Sequence, residues 1–385
     1  MKNVTRVLGR VGIIIGIVLG AAVIWFYDFL IPEEIQYPEL NRALKVEETL
    51  EEKQLSLSEM MPAIFAWHYF QNNTDSLTGM FTSHEGGDIV KMDDIPGYML
   101  AVFSARKLGI ISKEEVLNRI GSVLDFLSNV PLTENDNYFA IYSLDSNFVA
   151  ENYECDITTS LELIALLRSV VVNNRRFSEQ AFRLLKNIDI ISRLNEYRYT
   201  SDIPEITGKV VNLYIKSLQL PDSLKIINTV EHTRYPLDFT PYFMYMQQNI
   251  KYWNNEELKI DYLNNETAYF NRDSNYVVFS PLSLGKDEEL FYYVSEDSVF
   301  SVYSRKMVPV DQKYVATSGA FYRRLVSDDA IAEMIIAGIN DLFDPEKGWY
   351  EGRLIDSGDI VTYINAHTNA AVLNVLCLNT YKNYY

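Results

Sequence analysis

Asp344-Pro-Glu-Lys-Gly-Trp-Tyr-Glu-Gly-Arg353, followed by Ile360-Val-Thr-Tyr-Ile-Asn-Ala-His-Thr-Asn369, reads as a helix exit, a tight turn and the polar entrance to a last apolar helix. Gly348 and Gly352 bracket an exposed Trp349-Tyr350-Glu351 triplet, and two flat aromatics beside a carboxylate suit a sugar ring. The design is echoed earlier in Asp75-Ser-Leu-Thr-Gly-Met-Phe81, which leads to Asp93 and Asp94 at the start of another helix. Such an echo points to an array of helical hairpins whose loops gather polar and aromatic residues.

Outward from these two loops, the spacing of apolar residues predicts more helices. The first spans Met60 to Phe70 behind an N-cap at Ser58, with Pro62 in its first turns, and a second runs from about Asp93 to Leu108. Ser112-Lys-Glu-Glu115 is a capping box for a third, to about Asn129. Tyr138 to Val149 alternates and is read as a hairpin or loop over the mouth, and Asp156-Ile-Thr-Thr-Ser160 opens a fourth helix. Further helices are expected at Phe177 to Ile190, Pro204 to Leu218, Pro241 to Trp253 and Ser327 to Leu342, with the last one ending near Leu378. Between about 257 and 305 the pattern changes to β-branched and aromatic runs at Leu258–Tyr262, Thr267–Phe270, Tyr276–Phe279 and Val299–Tyr303, read as a β-rich insertion. The fold expected is mainly α: an α/α toroid, incomplete or irregular as a six-hairpin barrel, with that insertion.

The N-terminus divides from this body. Lys2, Arg6 and Arg10 form a tip (1–10) before an apolar run at 11–31, long enough to cross a bilayer, with Trp25 and Tyr27 at one end. The basic tip predicts a cytoplasmic N-terminus and a body beyond the membrane; a signal peptide cleaved near Gly20-Ala-Ala22 is the competing reading. A charged spacer at 32–57 then leads to the body at 58–385. A net charge of −18 argues against nucleic acid as a partner. Cys155 and Cys377 are read as two buried thiols or, outside the cytosol, as a disulfide pair. With no Cys/His spacing for metal, no Walker loop and no Rossmann glycines, neither a metal nor a cofactor is expected.

Asp75-Ser-Leu-Thr-Gly79, Asp93-Asp-Ile-Pro-Gly-Tyr-Met-Leu-Ala-Val-Phe-Ser-Ala-Arg-Lys-Leu-Gly-Ile-Ile-Ser112, Cys155-Asp-Ile-Thr-Thr-Ser-Leu161 and Gly348-Trp-Tyr-Glu-Gly352 with Thr368-Asn369 resemble the bacterial family called domain of unknown function 3131. That family is similar in turn to glucoamylase-like α/α-barrel domains found with polysaccharide machinery. The resemblance implies a bacterial envelope protein and a polysaccharide or oligosaccharide partner; with the apolar run at 11–31, the location expected is the inner membrane, single-pass, with a periplasmic or extracellular body. It runs from Ser58 to Leu378 but weakens between about Glu196 and Tyr322.

Glycoside cleavage needs one carboxylic acid to protonate the leaving oxygen and a second carboxylate as nucleophile or base. In a toroid the helix mouths converge, so Asp93, Asp94, Asp156 and Glu351 are the catalytic candidates. Glu351, between aromatics, is read as the acid, and Asp94 or Asp156 as the base or nucleophile. An Asp at a helix start is equally explained as an N-cap. Trp349, Tyr350, Asn365, His367, Thr368, Asn369, Glu85 and Trp67 are the candidate glycan contacts. The function expected is a glycoside hydrolase or transglycosylase acting on a bacterial polysaccharide by paired carboxylates; the alternative is a non-catalytic subunit that binds glycan or scaffolds an envelope or exopolysaccharide assembly.

Overall fold

A computed structural model describes residues 55–145, 153–200, 205–227, 280–285, 288–294, 300–304, 308–327 and 329–381, with single positions or pairs between them. The apolar run at 11–31, the helix expected at Pro241 to Trp253 and the strands expected at Leu258–Tyr262 and Thr267–Phe270 lie outside the described residues. Helix α1 (Leu57–Asn72) starts after Ser56 rather than Ser58. The reason is reciprocal capping: the Ser56 hydroxyl accepts from the Glu59 amide, and the Glu59 carboxylate accepts from the Ser56 amide at 2.8 Å. Ser58 has no glutamate three positions on to return the bond.

Strand β1 (Ile89–Lys91) leads into α2 (Asp94–Lys107), α3 (Lys113–Asn129), β2 (Ile141–Ser143), α4 (Ile157–Asn173), α5 (Ser178–Asn187), α6 (Ile190–Tyr197) and α7 (Glu205–Ser217). Of the segment expected at Tyr138 to Val149, residues 146–149 lie outside the described residues; the described part contributes β2, which pairs antiparallel with β1, Val90 opposite Tyr142. The helix expected from Phe177 to Ile190 is α5, which stops at Asn187, and a separate helix starts at Ile190, where Asp189 caps it by accepting from the Ser192 amide at 3.1 Å.

The β-rich part follows: β3 (Tyr235–Pro236), β4 (Leu282–Ser283), β5 (Glu289–Val294), β6 (Phe300–Ser304) and β7 (Pro309–Val310) make one antiparallel sheet. Strand β6 matches the expected Val299–Tyr303; β5 escaped the sequence reading. Then come β8 (Tyr314–Ala316), α8 (Thr317–Val326), α9 (Ala330–Ala337), β9 (Phe343–Asp344), β10 (Gly348–Trp349), β11 (Gly352–Leu354), β12 (Ile360–Val361) and α10 (Ala366–Tyr381). Helix α8 was also not anticipated, and the helix after Ser327 stops at Gly338, short of Leu342.

Burial separates the helices into two kinds. In α2 every residue from Asp94 to Val102 is buried, and in α10 buried residues occupy all sides, including Thr368, Asn369, Val372, Asn374 and Cys377. Only a helix surrounded by others buries its whole circumference. By contrast α3 buries one stripe, Val116, Ile120, Val123, Leu124 and Leu127. Helix α10 packs on α1, α2 and α8; α2 packs also on α3 and α4; and α4 packs on α5 and α7. These are inner helices with outer partners, as a toroid requires. Asn374 ties the inner pair together, accepting from the Ser104 hydroxyl at 2.9 Å and donating to the Gly97 carbonyl at 3.1 Å.

The two echoed loops fold alike. Asp75 Oδ1 accepts from the amides of Leu77 and Thr78, and Asp344 Oδ1 from those of Glu346 and Lys347. Each turn closes on a glycine with positive φ, Gly79 at 69° and Gly348 at 119°. A β-bridge flanks each, Thr74 to Phe81 and Phe343 to Trp349. The repeat in the sequence is therefore a repeated hairpin turn, used to bring the chain back to the helix mouths.

Candidate functional site

The candidate active site forms where the loop before α2 meets the segment before α10. The amide of Glu85 donates to the Ile364 carbonyl at 3.0 Å, the amide of Ala366 to the Ser83 carbonyl at 3.0 Å, and His84 bridges to Asn365. This pairing brings the start of α2 beside the start of α10. Strand β11 enters from a third direction, between β8 and β12.

Glu351 immediately precedes β11, and its backbone is pinned on both sides: its amide donates to the Tyr363 carbonyl at 2.9 Å and its carbonyl accepts from Thr317 at 2.8 Å. Its carboxylate is 3% exposed and fully engaged. The Thr368 hydroxyl donates to Oε1, the backbone amide of Ser283 donates to Oε2 at 2.7 Å, and the Asn365 side chain adds a further hydrogen bond. Burial raises its proton affinity, and these three donors pull against that rise.

Asp94 sits in the first turn of α2 and is 7% exposed. Burial, reinforced by the Asp93 carboxylate, pushes its carboxyl up to about 8. Lys91 and a hydrogen bond from Ser83 act in the opposite direction and do not cancel the rise. Asp94 therefore carries a proton at neutral pH. Asp93, at the N-cap position, makes no side-chain capping bond and is exposed. The capping explanation offered by the sequence therefore fails for Asp93 and Asp94.

It succeeds for Asp156. Asp156 Oδ1 accepts from the Thr158 amide at 2.7 Å and the Thr158 hydroxyl at 2.6 Å, capping α4. The rest of that motif is a structural knot around Arg193, which donates to the Cys155 carbonyl at 2.6 Å and to Ser160 Oγ. The structure thus places Asp156 at the α4 cap, with Oδ1 committed to Thr158.

Several residues escaped sequence reasoning. Lys91, half-buried, is ion-paired to Glu289 at 3.9 Å. Burial disfavours its charge, yet Asp93, Asp94, Glu289 and Tyr363 together outweigh this and hold it as an ammonium. The Tyr363 hydroxyl is raised to about 12 by burial, Lys91 opposing while Glu351, Asp94 and Glu289 add to the rise. Ser83 Oγ accepts from the Lys91 amide at 2.7 Å while serving Asp94. Lys91 and Ser83 offered only a charged or hydroxyl residue in a loop, with no motif; Glu289 lies in a strand the sequence did not reveal.

The expected aromatic platform is a correction. Trp349 is 4% exposed, edge-on to Phe321 with centroids 5.3 Å apart, and its indole donates to the Pro62 carbonyl at 2.9 Å. Trp67 is 1% exposed beneath the Arg119 guanidinium, 4.7 Å from its ring. Both are core. A tryptophan beside a glycine-rich turn looks exposed in sequence because the helices that cover it are distant along the chain. Tyr350 is half-buried. Asn369, 0% exposed, accepts from the Trp349 amide at 2.8 Å and donates to the Asn365 carbonyl at 2.8 Å, so its amide is a brace and is corrected from ligand contact to scaffold. Asn365 caps α10 through the Thr368 amide at 2.8 Å, and with Thr368 it also holds Glu351. His367 is half-buried with its ring 6.3 Å from Tyr322, and burial lowers its proton affinity against the pull of Asp93. Glu85 is exposed at the rim, in an ion pair with Lys347 at 2.9 Å.

Comparison with known proteins fits this architecture. The family described as a protein of unknown function, DUF3131, matches residues 62–147 and 297–382. Among solved structures, a candidate glucoamylase from Bacteroides fragilis is similar with a TM-score of 0.58 at 13% identity, over 86% of this chain and 93% of that one. An endo-β-1,2-glucanase from Chitinophaga pinensis, solved with sophorotriose and glucose, is similar with a TM-score of 0.56 at 13% identity, over 86% and 94% of the two chains. None of the curated proteins matches by sequence. At such identity the likeness is one of fold, a mainly helical glucoamylase-like barrel with added sheets. The two matched segments contain Lys91, Asp93, Asp94, Glu351 and Tyr363, so these site residues fall where the chain is similar to the DUF3131 family, on a fold similar to that of the glucoamylase-like structures.

Proposed function

We propose that this protein is a glycoside hydrolase of the paired-carboxylate kind acting on a bacterial glucan. The observation that carries the reading is Asp94: a buried carboxyl that keeps its proton to about pH 8, at the helix mouths, beside an ion-paired carboxylate and a lysine. A general acid must hold a proton at working pH and release it to the leaving oxygen as the glycosidic bond breaks. Asp94 meets that requirement; Glu351, whose proton affinity burial also raises, has its two oxygens engaged by Thr368, Asn365 and Ser283. Glu351 then braces Thr368 and the β4 backbone beside the reacting centre. The β-1,2-glucanase neighbour makes a β-1,2-linked glucan the first substrate to try, as a likeness of fold alone.

The proposal includes a tether. The run at 11–31 after Lys2, Arg6 and Arg10 supports a single-pass anchor in the cytoplasmic membrane with the body outside it, where envelope glycans and assembly partners lie. Alkaline carbonate extraction of membranes, which releases an unanchored protein, tests that part.

For the chemistry, wild type and Asp94→Asn are incubated with β-1,2-glucan and a panel of other bacterial glucans, and new reducing ends are counted. Turnover in wild type and a loss of 100-fold or more in the variant, with glycan binding retained, is the expected outcome. Binding without turnover in both proteins replaces the enzyme with a glycan-binding subunit.

A further inference from the structure

We infer that Glu289, delivered by the inserted sheet from outside the family-matched segments, is the second reacting carboxylate, the one that takes a proton from the attacking water. This rests on the hydrolase reading above and deepens it.

The candidates can be separated by how each is held. Glu351 has both oxygens hydrogen-bonded and is 3% exposed, so it is closed off from solvent. Asp156 is spent on capping α4. Asp93 is exposed and no capping bond orients it. Glu289 alone combines access with fixation: its side chain is 24% exposed, and it pairs with Lys91 at 3.9 Å. Its backbone lies opposite Ser283 in the β4–β5 register, the same Ser283 whose amide holds Glu351. The next residue, Leu290, is buried at 2%, and its carbonyl accepts from the buried Tyr314 hydroxyl at 2.9 Å, so the strand cannot slide without uncovering the core.

A base must be placed to accept a proton when the reaction begins, and the Lys91 ammonium, 3.9 Å from Glu289 Oε1, is the cation that faces this carboxylate. In the step, the Glu289 carboxylate removes a proton from water as the water oxygen bonds to the anomeric carbon. The bond from that carbon to the leaving oxygen breaks, and its electron pair accepts the Asp94 proton. One water is consumed per linkage, and the products are a new hemiacetal and a free hydroxyl. Both carboxyls return to their starting states by exchanging a proton with solvent. Residues 62–147 and 297–382 thus supply the acid, and the segment between them supplies the base.

Glu289→Gln and Glu289→Ala are compared with wild type in the full chain, on whichever glucan the wild type cleaves. The expected result is a kcat loss of 100-fold or more in Glu289→Gln, with KM and melting temperature close to wild type. Sodium azide, an anionic nucleophile that needs no base, then restores cleavage in Glu289→Ala and yields a glycosyl azide. A kcat within tenfold of wild type, or a loss that azide does not restore, overturns the role of Glu289 and leaves it as the counter-ion of Lys91. Absence of turnover in the wild type overturns the hydrolase reading and this one with it.

Discussion

Replacing Asp94 with Asn preserves the size of the side chain and removes its proton equilibrium, so it separates the role of the group in stability from its role in chemistry. An aspartate ordinarily titrates near 3.8, and here it is held up to about 8. Between those values the unfolded chain has released the proton and the folded chain keeps it, so this group's contribution to stability is full below the lower value and declines as pH rises through the upper one. One unit of displacement corresponds to about 1.4 kcal/mol, which sets a ceiling of roughly 4 kcal/mol at pH 7 for what Asp94 takes from the fold. Asn returns less than the ceiling, because it offers Ser83 a single acceptor oxygen and leaves Lys91 without one carboxylate neighbour; a gain of about 1–3 kcal/mol at pH 7–8 is expected. Below pH 4 the two proteins should unfold alike. The assay is the denaturation midpoint of wild type and variant at several values between pH 4 and pH 9. A variant that is more stable by the same margin at every pH, or less stable at pH 8 than at pH 5 relative to wild type, refutes the assignment of a raised proton affinity to Asp94.

Three further outcomes follow from the same geometry. Lys91→Met removes a cation that lowers the proton affinity of Asp94, so the pH at which the Asp94-dependent fall in stability occurs should move upward; an unmoved transition would show that Lys91 does not face Asp94. Asn369→Ala loses the bonds to the Trp349 amide and the Asn365 carbonyl and should cost about 2–4 kcal/mol in urea denaturation, since both partners are left buried. Asp156→Ala should cost about 1 kcal/mol through loss of the α4 cap and leave glucan turnover at the wild-type rate; a large loss of turnover would return Asp156 to the site.

Periodicity and punctuation made the helical architecture legible. The α3 N-cap at Ser112, the apolar stripe Val116–Leu127 and the start of α2 after Asp93 were readable because helix signals are local: a cap, a spacing and a stop lie within about twenty residues. The paired Asp-x-x-x-Gly turns were equally visible, since an aspartate that accepts from the amides two and three residues on, followed by a glycine in the left-handed region, is a device the chain builds from its own neighbours. Asp94 and Glu351 were singled out by their settings in helix start and loop. Tertiary structure decided what those residues are. It buried Trp349 and Trp67, which sequence had offered as sugar platforms, under helices far along the chain. It enclosed Glu351 in donors from Thr368, Asn365 and Ser283, and buried Asp94 beside Asp93 so that its proton affinity rises. It also brought Glu289 to Lys91 across nearly the whole body, a pairing no local pattern encodes. Burial and charge are properties of what surrounds a residue; the sequence by itself determined which residues stood at the helix mouths, and only the packing around them decided their exposure and their protonation.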